Sequence, residues 1–167
     1  MSDDQPRVHT TTIYYPQTLR DAWPRPLADQ WYEYYPHLFD EIDLQLTQSE
    51  GHRSFHFVEW FTTLHLYQRD GACSLMEKYI FKSHERKVAC CREVLTEQEW
   101  SVLNSLWYDD HVQPPDLFVV SREGTSYSFA EVKGPGDSIR EPQEASHQRI
   151  IKELGKSIEV FEVRRLG

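Results

Sequence analysis

Pro115-Asp116-Leu117-Phe118-Val119-Val120, followed by Phe129-Ala130-Glu131-Val132-Lys133-Gly134-Pro135-Gly136, decides the fold of this 167-residue chain. Pro114-Pro115 breaks any helix, and residues 117–120 form a short apolar run of the kind that buried strands carry. Arg122-Glu123-Gly124 marks a turn, residues 127–133 read as a second strand, and Gly134-Pro135-Gly136 ends it. Residues 141–154 then predict a helix closed by Gly155 as its C-cap. A final strand follows at residues 158–163. The order β-β-α-β implies an α/β sandwich with a mixed sheet.

Upstream, the periodicity changes. Phe55, Val58, Phe61, Thr62 and Leu66 fit one face of a helix that Gly71 stops. A second helix is expected from about residue 74 to 95, with Leu75, Tyr79 and Ile80 as its early apolar face. Thr96, followed by Glu97 and Glu99, reads as the N-cap and first turn of a third helix towards Trp107. Residues 1–50 are dense in Tyr, Trp and Pro, which reads as an arm or small subdomain packed on the main body, without long regular elements and with an aromatic surface that could dock a protein partner. The expected division is thus an arm at 1–50, a helical region at 51–110 and a core at 111–167.

Side chains two apart on a strand share a face, so Glu131 and Lys133 point together while Ala130 and Val132 point into the opposite layer. If the two strands pair through the Gly124 turn, Asp116 comes close to Glu131 at the open end of the hairpin. Two carboxylates and the backbone carbonyl of Val132 can hold a hard ion such as Mg²⁺ or Mn²⁺. Lys133 can orient a nucleophile or stabilise charge developing on phosphorus. Glu131 and Lys133 alone would be an ordinary surface ion pair that contributes little. An Asp fifteen residues before the ExK sequence, with apolar strands between, is more specific.

Those residues, with Asp137, Gln143 and the closing Gly155…Ile158-Glu159-Val160-Phe161-Glu162-Val163, resemble the VRR-NUC domain, a nuclease branch of the PD-(D/E)xK superfamily. The likeness covers residues 111–167. A weaker one, in His56-Phe57-Val58-Glu59 and Met76-Glu77-Lys78, extends to the helical segments before the nuclease domain of the Fanconi-associated nuclease. The resemblance implies a restriction-endonuclease-like core, a mixed sheet flanked by helices and preceded by a mostly helical region. It implies Asp116 and Glu131 as metal ligands, Lys133 as the catalytic lysine, and Gln143 on the following helix facing the site. It also implies a further glutamate from an upstream helix, for which Glu59 and Glu77 compete, with Glu59 the better match to the apolar pattern. Ser146-His147 departs from the family, which commonly shows a Trp shortly after the Gln. The implied activity is Mg²⁺- or Mn²⁺-dependent hydrolysis of DNA, in repair, recombination, phage-type replication or as an antibacterial toxin. A homodimer is compatible with the family.

The net charge of −9 lowers the expectation of nucleic-acid binding without excluding it. Most of the excess acidity lies before residue 111, where 18 acidic face 10 basic residues; after it, 9 face 8. Lys78, Lys82 and Arg86 recur every four residues as a basic stripe that could follow a nucleic-acid backbone. Arg140, Arg149 and Lys152 could contact phosphate near the site. The histidines, His147 among them, show no paired metal spacing and read as structural. Asp109-Asp110-His111 reads as a loop. Cys73, Cys90 and Cys91 have no CxxC spacing, which argues against a disulfide framework or a zinc site. No run of eighteen apolar residues suggests a membrane span. Met1–Asp4 has no signal-peptide pattern, which makes the cytoplasm, or another cell for a delivered toxin, the expected compartment. The competing class is a non-catalytic interaction module that keeps the nuclease fold.

Overall fold

A computed structural model describes residues 5–48, 56–76, 79 and 84–167. Five strands form one sheet: β1 (Val8–Tyr15), β2 (Cys73–Met76), β3 (Leu117–Val120), β4 (Tyr127–Lys133) and β5 (Ile158–Arg165), in the order β1-β5-β4-β3-β2. β1, β5 and β4 run parallel, whereas β3 and β2 are antiparallel to their neighbours, so the sheet is mixed as expected. The described helices are α1 (Gln17–Asp21), α2 (Leu27–Tyr34), α3 (Glu41–Gln48), α4 (Phe57–Asp70), α5 (Glu85–Val94), α6 (Glu97–Asn104) and α7 (Glu141–Leu154). A π-helical turn, Ser105–Asp109, continues α6 through Trp107. The parallel pair β4 and β5 is joined through α7, as parallel strands require a crossover.

Strand alternation splits the core into two layers. Leu117, Val119, Ala130, Val132, Phe161 and Val163 face α4 and the N-terminal helices. Leu75, Phe118, Tyr127, Phe129 and Ile158 face the other way, with Cys91, Leu103 and Ile150 of α5, α6 and α7. The helix ends follow their local signals. Thr96 and Glu99 form a reciprocal capping box on α6. Gly71 and Gly155 close α4 and α7 in the left-handed region that favours glycine.

Three expectations need correction. The segment over 74–95 is not one helix: Cys73–Met76 is the edge strand β2, paired with β3, and the helix begins only at Glu85. Leu75 and Met76 serve opposite layers, a strand alternation that a helical periodicity obscures. The apolar face of α4 is Phe57, Trp60, Leu64 and Leu66, with Val58 and Phe61 only half-buried. The N-terminal residues are not an arm either. β1 pairs with β5 along its eight residues, and Ile13, Tyr15, Trp23, Leu27, Leu38 and Phe39 are buried in the same cluster as Trp60 and Leu117.

The aromatic density near the N-terminus is therefore mostly core. Tyr15 meets Phe57 at 5.0 Å between centroids, and Trp23 meets Trp60 at 5.4 Å, both edge-to-face. Tyr14 and Tyr34 remain exposed, which leaves little of the expected docking surface. The divisions 1–50, 51–110 and 111–167 share one sheet and one core.

Candidate active site

The site is built where β3 begins and β4 ends. Pairing of Leu117 with Ala130 sets Asp116 opposite Glu131, one step beyond the last ladder pair. Asp116 accepts the backbone N–H of Val132 on Oδ2 at 2.8 Å. A strand residue directs its N–H and C=O to the same edge, so the Val132 carbonyl also faces the Asp116 side. The Asp116 carboxyl lies near that of Glu131. Burial, then the neighbouring Glu131 charge, holds the Asp116 carboxyl well above the usual carboxylate range.

Lys133 shares the Glu131 face, and both are buried. Its Nζ lies 3.5 Å from Glu131 Oε1 and donates to Gln143 Oε1 at 2.9 Å. The same amide donates through Nε2 to Glu131 Oε1 at 2.9 Å, so Gln143 bridges the acid and the base. Its Oε1 also accepts the Arg140 backbone N–H at 3.0 Å, which ties it to the start of α7. Lys133 lies 3.9 Å from Asp137, on the loop after β4.

From the opposite layer, α4 brings Glu59 close enough that its charge also raises the Asp116 pKa. One Glu59 carboxylate oxygen is shut off from solvent. Val58, its neighbour, faces Gly134 at the end of β4: a Cβ built there would lie 3.6 Å from Val58 Cγ1. Glu77, the competing glutamate, lies outside the described residues.

No family model, curated protein or solved structure matches this chain. The reading of the site therefore rests on its chemistry. Among the described residues, no three His, Cys, Asp or Glu side chains form a ready-made metal cage. The donor set is two carboxylates, a main-chain carbonyl and a nearby third carboxylate. Two neighbouring buried carboxyls, one of them held well above its usual range by burial and by the other's charge, are a cluster that a divalent cation would relieve. All these donors are oxygen, as Mg²⁺ and Mn²⁺ prefer. Asp116, Glu131 and the Val132 carbonyl fit such an ion, with Glu59 in reserve.

The candidate phosphate-contacting residues fare unevenly. Lys78 and Lys82 lie outside the described residues. Arg86 lies on α5. It pairs with Asp40 at 2.9 Å and donates to the His37 carbonyl at 3.1 Å. Arg149 is held by Asp110 at 2.8 Å and Glu153 at 3.0 Å. Arg140, just before α7, and Lys152, on it, are exposed. Cys73, Cys90 and Cys91 are free thiols.

Two residues at the site escaped the sequence reading. Tyr79, fully buried, donates its hydroxyl to the Pro115 carbonyl at 2.8 Å and so anchors the residue before Asp116. His147, also buried, places Nε2 3.1 Å from Glu131 Oε2. A signal for His147 was present: it lies four residues after Gln143, hence on the same helix face. Ser146, at the departure from the family pattern, donates to the Gln113 carbonyl at 2.7 Å and ties α7 to the loop before Asp116.

Proposed function

We propose that this chain is a divalent-metal-dependent nuclease that hydrolyses phosphodiester bonds in DNA, with a PD-(D/E)xK site of VRR-NUC type. The observation that carries the reading is the meeting of Asp116, Glu131 and Lys133 at the open end of the β3–β4 hairpin, with Gln143 bonded to two of them. Asp116, Glu131 and the Val132 carbonyl would hold Mg²⁺ or Mn²⁺. When bound, such an ion polarises the scissile phosphate and lowers the pKa of a coordinated water.

The remaining chemistry belongs to the chain. Lys133 supplies a positive charge at the phosphate and positions the attacking water. Gln143 fixes the Lys133 ammonium beside Glu131, so the charge is in place before substrate arrives. Repair, recombination, replication and toxin roles would all use this same chemistry.

A second reading, a non-catalytic interaction module, draws support from the net charge of −9 and from the internal pairing of Arg86 and Arg149. Plasmid nicking in Mg²⁺ or Mn²⁺ separates the two. The nuclease reading expects nicking by the wild type, abolished in Asp116→Ala and by chelation. A wild type that fails to nick duplex, nicked or branched DNA in either metal leaves the interaction module standing.

A further inference from the structure

We infer that His147 is a positioning residue for the metal-binding carboxylate Glu131, and that Gln143 and His147 together form a two-point clamp on it from α7. The inference rests on the nuclease reading above and adds a residue that the family pattern does not supply. Glu131 has two oxygens, and α7 engages each one separately. Gln143 Nε2 donates to Oε1 at 2.9 Å, and His147 Nε2 stands 3.1 Å from Oε2. A carboxylate accepts, so the imidazole donates through Nε2. The residues are four apart on one helix face, so a single rigid element sets both contacts.

The burial makes the contact consequential. His147 is 2% exposed and Glu131 is 2% exposed, so water does not replace a lost donor freely. A carboxylate held at one oxygen only would be free to rotate about its terminal torsion, which is broad for Glu. The second contact removes that freedom and fixes the plane in which Glu131 presents its lone pairs. Groups that orient a metal-binding side chain this way typically change metal affinity by 10–100-fold when removed.

His147→Phe keeps a ring without a donor, whereas His147→Gln keeps a donor nitrogen near the place of Nε2. Mn²⁺ binding is measured by calorimetry on the full chain, with thermal melting of the metal-free proteins alongside. The clamp predicts Mn²⁺ affinity about tenfold or more weaker in His147→Phe and restored to within a few-fold in His147→Gln, a loss larger than the fall in melting temperature of the metal-free protein accounts for. Equal affinity in His147→Phe and wild type overturns the clamp, as does a loss in His147→Gln as large as in His147→Phe. Loss of affinity only in step with lowered melting temperature assigns His147 to packing and also overturns it. A wild type that binds no Mn²⁺ removes the metal reading itself, a result distinct from a wild type that binds with His147→Phe unchanged.

Discussion

Lys133 and Gln143 are joined by a buried hydrogen bond of 2.9 Å, and the amide that accepts it turns its other end to Glu131 at the same distance. One neutral side chain thus satisfies a cation and an anion at once without adding charge to a crowded site. Gln143→Ala leaves a buried ammonium and a buried carboxylate each short of a partner. It should lower unfolding free energy by about 1–3 kcal/mol in denaturant titration. Stability equal to wild type would mean that water fills the gap.

An ammonium is no ligand for a hard cation, whereas carboxylates are, so the proposed nuclease reading gives Lys133 and the Asp116–Glu131 pair separable roles. Lys133→Met should therefore abolish DNA cleavage while calorimetry still records divalent-ion binding. Loss of ion binding in this variant would contradict the roles assigned to the three residues.

Asp116 also sets a pH dependence. Its native pKa lies above the unfolded value near 3.8, so the folded chain binds the proton more tightly than the unfolded chain. The resulting stability is fully present below about pH 4 and is lost as pH rises through the native pKa. Asp116→Asn keeps an oxygen for the Val132 N–H and removes the charge. At pH 8 it should melt higher than metal-free wild type, by about 1 kcal/mol or roughly 2–4 °C. Mn²⁺ should then raise the melting temperature of the wild type but not of the variant. An Asp116→Asn protein that melts at or below wild type at pH 8 would show that the carboxyl pair is not strained.

The legible parts of this fold are those specified by neighbours in sequence. β3, β4 and α7 carry their own apolar runs and their own Pro or Gly stops, so their bounds follow from residues 114–155 alone. β1 and β2 do not. Val8-His9-Thr10-Thr11-Thr12 is polar and gains its order by pairing with β5, 150 residues away. Cys73–Met76 is four residues long, too short for its alternation to outweigh the helical periodicity around it. The Asp116, Glu131 and Lys133 set was legible because strand alternation and one hairpin bring it together. His147 was missed although its spacing of four from Gln143 placed it on the same helix face, because a histidine without a second metal-type partner in sequence reads as structural. Tyr79 reads in sequence as part of the apolar face of a helix over residues 74–95, whereas residues 73–76 are strand and the described helix is Glu85–Val94.

Between α3, α5 and β2 lies a buried pair that sequence spacing did not suggest. Lys87 Nζ donates to Asp43 Oδ1 at 2.5 Å and to the Met76 carbonyl at 2.6 Å, with both side chains almost wholly enclosed. Removing Asp43 leaves the buried Lys87 charge without its carboxylate. Asp43→Ala should cost about 3–5 kcal/mol in denaturant unfolding, while the double variant Asp43→Leu/Lys87→Met should recover most of the loss. A double variant no more stable than Asp43→Ala would show that the contact to Met76 dominates.

Of the two upstream glutamates, Glu59 has the geometry in its favour. It sits in the first turn of α4, beside Val58, which meets the end of β4 at Gly134. Its charge acts on Asp116 across the layer boundary, in addition to that of Glu131. A third carboxylate so placed works against the metal-free fold and in favour of a bound cation, which is the pattern of a ligand cluster rather than of a structural ion pair. Glu59→Gln preserves shape and removes one negative charge. It should lower the cleavage rate about a hundredfold, near 3 kcal/mol in barrier, and weaken Mn²⁺ binding in calorimetry. It should also lower the Asp116 pKa, because one of the charges that raise it is gone, and NMR titration of the Asp116 side-chain carboxyl carbon reads that shift directly. Glu77→Gln should cost less on both rate and affinity. A dead Glu77→Gln beside a near-normal Glu59→Gln would reverse the assignment, and an unmoved Asp116 titration would separate Glu59 from the site altogether.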